Sequence, residues 1–179
     1  MAESFSNALS RAAGIVTTSS SGSIGITTNL ITGISTAAVS VGNLVDNANY
    51  IAGTKVSTIG VGLVTVDRNS TNTAAASSQS VKFLGATAVY TSPSATKSIL
   101  IGGTFANNTN NQVNLTVEVY DNSAGISVAL ASKIPVPAGS SFVISDTGKT
   151  LLEGDDVLRV YCDTANAVDV SLSILTGVA

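Results

Sequence analysis

The chain of 179 residues has no histidine, no tryptophan and one cysteine, and only 11% of its residues are charged. Each shortage excludes something. Histidine is the side chain that most readily exchanges protons near neutral pH, and nucleophilic triads and most metal sites draw on it. Without it the chain reads as a protein that is not an enzyme and carries no cofactor. With Cys162 alone, no disulfide can close within the chain. That residue lies in the alternating run Leu158–Cys162 and reads as a buried free thiol packed as a small hydrophobe. Lys and Arg number 8 against 11 Asp and Glu, a net charge of −3, and no basic cluster exists to neutralise phosphates, which excludes nucleic acid as a partner. No apolar run approaches the roughly 18 residues of a membrane-spanning helix, so no membrane partner is expected. The opening residues lack a cationic segment followed by an apolar one, and the expected place of synthesis and retention is a cytoplasm.

What is present is Val, Ile, Leu, Ala, Ser, Thr, Asn and Gly, the residues of half-buried strands and tight turns. Hydrophobic residues make up 44% of the chain and the mean hydropathy is +0.41, ample for a packed core. Soluble monomers usually carry roughly a quarter of their residues as charges. A surface this poor in charge can be covered by a neighbour with little desolvation cost, and a homo-oligomer, a trimer among the candidates, is expected.

Residues 2–13 carry the one helical pattern: Phe5 and Leu9 stand four apart, Ala12 and Ala13 extend that face, and Gly14 offers a stop. This predicts a short N-terminal helix or arm over 1–14, either docking on a neighbour or fraying. From 15 to 67 short apolar runs alternate with Gly and Asn turns, predicting a small β module, a compact barrel or sandwich. Residues 68–80 contain no large hydrophobe and predict a linker. Residues 81–179 then hold seven or eight alternating runs. Val113, Leu115, Val117 and Val119 fall in one phase, and Asn114, Thr116, Glu118 and Tyr120 in the other. The fold class expected is all-β, the second part being an antiparallel β-sandwich, jelly-roll-like or immunoglobulin-like. Expected strands include Ser141–Ser145, with a turn at Thr147-Gly148.

Few motifs suggest chemistry. The acidic turn Glu153-Gly154-Asp155-Asp156 lacks the alternating spacing of a calcium loop and reads as a solvated turn. The Asn-x-Ser/Thr triplets at Asn69, Asn107 and Asn114 read as products of composition. None of the glycines opens a helix or precedes Lys-Ser/Thr, so they read as turn glycines and not a phosphate loop. Sugar faces stack on aromatic rings, and Tyr120, on the polar phase of its strand, is the candidate for such a contact.

Two stretches carry a resemblance. Val41-Gly42-Asn43-Leu44-Val45, Ile51-Ala52-Gly53-Thr54-Lys55-Val56, Ile59-Gly60 and Val64-Thr65-Val66 resemble a small β module of structural and tail-fibre proteins of tailed bacteriophages. Ser98–Ile101, Val117–Asp121, Lys133–Ser141 and Leu151–Val160 are similar to segments of small virion proteins of T4-like phages infecting marine cyanobacteria. The resemblance implies a non-enzymatic virion structural protein, a head decoration or a neck or tail appendage. It would be assembled in the host cytoplasm and bound to other phage virion proteins, with Phe5 and Leu9 as the expected anchors. The alternative is a receptor- or glycan-binding tail-fibre module, for which Tyr120 is the expected contact.

Overall fold

The computed structural model describes residues 3–144 and 149–178. All its regular elements are β-strands, and every pairing is antiparallel. The chain divides into two compact units, one of residues 3–14 with 87–178, the other of residues 15–86.

The first unit is a two-sheet sandwich. One sheet has the order β1 (Ser4–Ala13), β15 (Val168–Val178), β9 (Lys97–Asn107), β12 (Ser141–Ile144), with β13 (Thr150–Leu152) also on β9. The other has the order β11 (Ile126–Val136), β10 (Val113–Asp121), β14 (Val157–Cys162), β8 (Thr87–Thr91). β12 lies against Gly103–Ala106 and β13 against Ser98–Leu100, so the two lie one after the other along β9. Counting them as one, the eight strands run 1-8-3-6 in one sheet and 2-7-4-5 in the other, the arrangement of a jelly roll. The alternation of the sequence sets which face is buried. Val113, Leu115 and Val117 point inward from one sheet, and Val168, Val170, Leu172 and Ile174 from the other, all buried in one cluster with Phe105 and Leu158. Gly103 stands opposite Leu172, and a Cβ there would fall 2.8 Å from the Leu172 Cδ2; the missing side chain is what lets that leucine cross the core. Cys162 is buried in the same cluster as a free thiol.

The second unit has a six-stranded sheet, β4 (Leu44–Asp46), β7 (Ala76–Gly85), β2 (Ile15–Ile24), β3 (Leu30–Thr32), β6 (Leu63–Val66), β5 (Val56–Gly60). Its two ends meet. Leu44 bridges to Lys55, and the N–H groups of Gly42, Val45 and Val56 donate to Val56, Thr54 and Asn43. The sheet therefore closes into a small barrel around Ile24, Ile31, Val56, Val64, Val81 and Phe83.

Three expectations are corrected. Residues 4–13 are not a helix but the strand β1, paired with β15 from Ser4↔Thr176 to Ala13↔Val168. A spacing of four fits period two as well as a helical face, and the partner strand decides. Residues 76–80 of the expected linker belong to β7, where Gln79 faces Gly22 and Ala76 faces Ile24; small polar residues need no core to complete a ladder. Val81–Leu84 consequently belongs to the barrel, and the barrel is an insertion between β1 and β8 of the sandwich. Its two connections are adjacent: Ile15 pairs with Gly85 within the barrel, and the Gly14 N–H donates to the Thr87 Oγ at 3.2 Å within the sandwich. Gly14 (φ 123°) is required there, since a Cβ would fall 2.5 Å from the Thr164 carbonyl oxygen. Ser145 and the expected turn at Thr147-Gly148 lie outside the described residues.

Candidate interaction surface

The outer face of the sheet containing β1 gathers apolar side chains into cross-strand rows. One row is Phe5, Leu175, Ile99, Leu151, and another is Leu9, Ser171, Thr104, Val143. Between them runs Asn7, Ser173, Gly102. Phe5 is 64% exposed, Leu9 74%, Val143 54% and Leu151 49%. Inward-facing neighbours satisfy the core, so these four contribute nothing to it. The small residues of the middle of the sheet leave a shallow groove beside Leu9, bordered by Arg11, Thr104, Asp169 and Ser171. The Asp169 carboxylate accepts the Ala12 N–H at 2.9 Å. That bond, the Asn108 side chain and the charge of Arg11 hold its pKa below the usual carboxylate value.

Tyr120 lies on the outer face of the opposite sheet, so it is not brought together with Phe5 and Leu9. The Arg159 guanidinium sits 3.8 Å from the centre of its ring, occupying one of the two faces on which a sugar would stack. Arg159 is the cross-strand partner of Glu118, which is buried although it points outward. Tyr161 bonds to both through its side chain, and its pKa is pushed up to about 12, by burial first and by the negative charge of Glu118 second. These four side chains form one polar cluster across β10 and β14.

The residues of the acidic turn serve the backbone. Asp156 is buried and accepts the N–H of Asn122 at 3.0 Å and of Glu153 at 2.8 Å; Asp155 accepts the Ser94 hydroxyl. Asn107, first of a triplet, donates through Nδ2 to the carbonyls of Asn111, Val136 and Pro137 and accepts from Thr109. Asn114 likewise donates to Asp163 at 2.7 Å. Among the described residues, no three His, Cys, Asp or Glu side chains are grouped so as to hold a metal ion, and no helix is long and apolar enough to cross a membrane.

Sequence reading reached Phe5 and Leu9 but missed Leu151 and Val143. Their exposure follows from register, and the only available signal was that each breaks into a small-residue or polar stretch at the phase opposite its inward neighbours. No known protein family, no curated protein and no solved structure matches the chain.

Proposed function

We propose that this is a non-enzymatic structural protein of a bacteriophage virion, attached as a head decoration or a neck or tail appendage through the outer face that carries Phe5 and Leu9. The observation that supports it most is that face: four large apolar side chains, each about half exposed or more, on a sheet whose middle outer positions are Asn7, Gly102, Thr104, Ser171 and Ser173, with the charged Arg11 and Asp169 at its border. Such a surface has little charge to desolvate and presents apolar area that a protein partner would cover, at about 25 cal/mol per Å² buried. The jelly roll is used by viral capsid domains and by lectins alike, so the fold by itself does not choose between virion assembly and receptor binding. The surface favours the first, because the aromatic candidate for sugar stacking already carries Arg159 on one ring face. Mass spectrometry of gradient-purified particles of the parent phage tests the reading. The chain should be present in fixed ratio to the major capsid protein, and its absence from particles, together with binding on a glycan array, would reverse the order of the two readings.

A further inference from the structure

We propose that β1 is a self-pairing edge: two copies of the chain join antiparallel through their β1 strands, about a two-fold axis at Asn7, so that one sandwich sheet continues into the next. This names a partner for the free edge of the sheet whose outer face was just described, and it rests on the reading of Phe5 and Leu9 as contact residues, not on a place in a virion.

β1 ends its sheet, with β15 as its neighbour on one side. It is ten residues long and mostly exposed, and it contains neither Lys nor Pro, two residues that commonly protect an edge from pairing. Its irregularity is confined to the end, between Ser10 and Ala13, which leaves a regular free edge over Ser4–Ser10. The outward phase reads Glu3, Phe5, Asn7, Leu9, Arg11, all exposed. That order is self-complementary when reversed. With the axis at Asn7, Phe5 faces the second copy's Leu9 and Asn7 faces its Asn7 within the regular edge, and Glu3 and Arg11, just beyond its two ends, come opposite one another. The inward phase then sets Ser4 against Ser10 and Ser6 against Ala8, small residues that raise no clash. An axis through a residue also keeps both cores on the same side of the extended sheet. Moving it to Ser6 sets Glu3 against Leu9 and Phe5 against Asn7; moving it to Ala8 sets Phe5 against Arg11. Among these neighbouring registers, the Asn7 axis alone satisfies charge and apolar contact together. Arg11 already borders the Asp169 carboxylate, and Glu3 of the second copy would join it from the open side.

The test uses the full chain in sedimentation equilibrium. A dimer is expected. Glu3→Arg turns two symmetry-related attractions into repulsions and should weaken association about tenfold at low salt, less at high salt. The double variant E3R/R11E should restore it, which distinguishes pairing from misfolding. Independently, Asn7→Cys should give a disulfide-linked dimer under mild oxidation, since facing Cα atoms in a ladder lie within bridging range. Phe5→Cys should not, its two copies being about 13 Å apart along the strands. The native Cys162 is buried and stays out of the reaction. A monomer at all concentrations, an oligomer indifferent to E3R, or cross-linking at F5C in place of N7C overturns the proposal. A monomer found on particles would leave the virion reading standing; a dimer absent from particles would do the reverse.

Discussion

The barrel and the sandwich solve the same problem differently. Both are built from antiparallel strands of the same residue types, yet the barrel joins the two ends of its sheet, β4 and the residue before β5, through Leu44 and Lys55, whereas the sandwich leaves β1, β8, β11 and the pair β12 and β13 at its margins. The barrel manages this with strands of three to five residues apart from the ten-residue β2 and β7, closing its gaps with turns. In those turns Ser70 bridges the Thr28 N–H and the Gly25 carbonyl, and Asn43 accepts from Ser40. The sandwich uses strands of nine to eleven residues in β9, β10, β11 and β15 and keeps open edges. A closed sheet has no free ladder to offer a neighbour, so the capacity for strand-to-strand association resides in the sandwich.

The largest effects should come from separating the two cores. Phe83→Ala empties a fully buried position of the barrel and should cost about 3–5 kcal/mol, while Leu172→Ala should cost the sandwich about 2–5 kcal/mol. If the units are energetically distinct, calorimetry will show each variant lowering a different transition; one shared transition shifted by both would erase the distinction. Side-chain bridges come next. Asn107→Ala removes five bonds at a nearly fully buried site and should destabilise the sandwich by about 2–3 kcal/mol, against about 1 kcal/mol for Ser70→Ala in the barrel. Urea midpoints followed by a probe in each unit would rank them.

How much of this was legible follows the same division. The sandwich strands from Thr87 onward were readable because period two with one polar face repeats over long runs, as in Val168, Val170, Leu172 and Ile174. Strand β1 was not, because Phe5 and Leu9 fit either periodicity and the deciding partner, β15, lies near the other end of the chain. The first half of β7 was missed for a different reason: Ala76–Ser80 owes its conformation to backbone bonds with β2, which leave no trace in side-chain type. The rows of exposed apolar side chains depend on register across four strands, and no local pattern encodes that.

Alkali should act on both units. Tyr50 in the barrel and Tyr161 in the sandwich each have pKa values pushed up to about 12, burial being the leading cause in both. The folded protein therefore holds these protons more tightly than the unfolded chain. The stability they contribute is complete below pH 10 and declines as the pH rises from 10 toward 12. Tyr161→Phe should flatten that decline for the sandwich alone, and Tyr50→Phe for the barrel alone, in unfolding curves recorded from pH 8 to 11. The smallest effect is at Asp169. Its lowered pKa means that the carboxylate stays ionised, and its bond to the Ala12 N–H intact, as the pH falls through the ordinary carboxylate value; the stability this contributes is complete above that value and is lost as the pH falls on through the lowered, folded-state one. Asp169→Asn should speed hydrogen exchange at Ala12 at neutral pH and leave exchange in the barrel unchanged.

The double connection of the barrel has a consequence for a chain that is cut. Val61, fully exposed between Gly60 and Gly62, offers a protease an accessible turn. A nick there leaves one fragment holding β1 to β5 and the other β6 to β15. The pieces remain laced together by β1 on β15, β2 on β7 and β5 on β6. Scission at that tip would show as two bands on a denaturing gel and as a single intact particle in its absence.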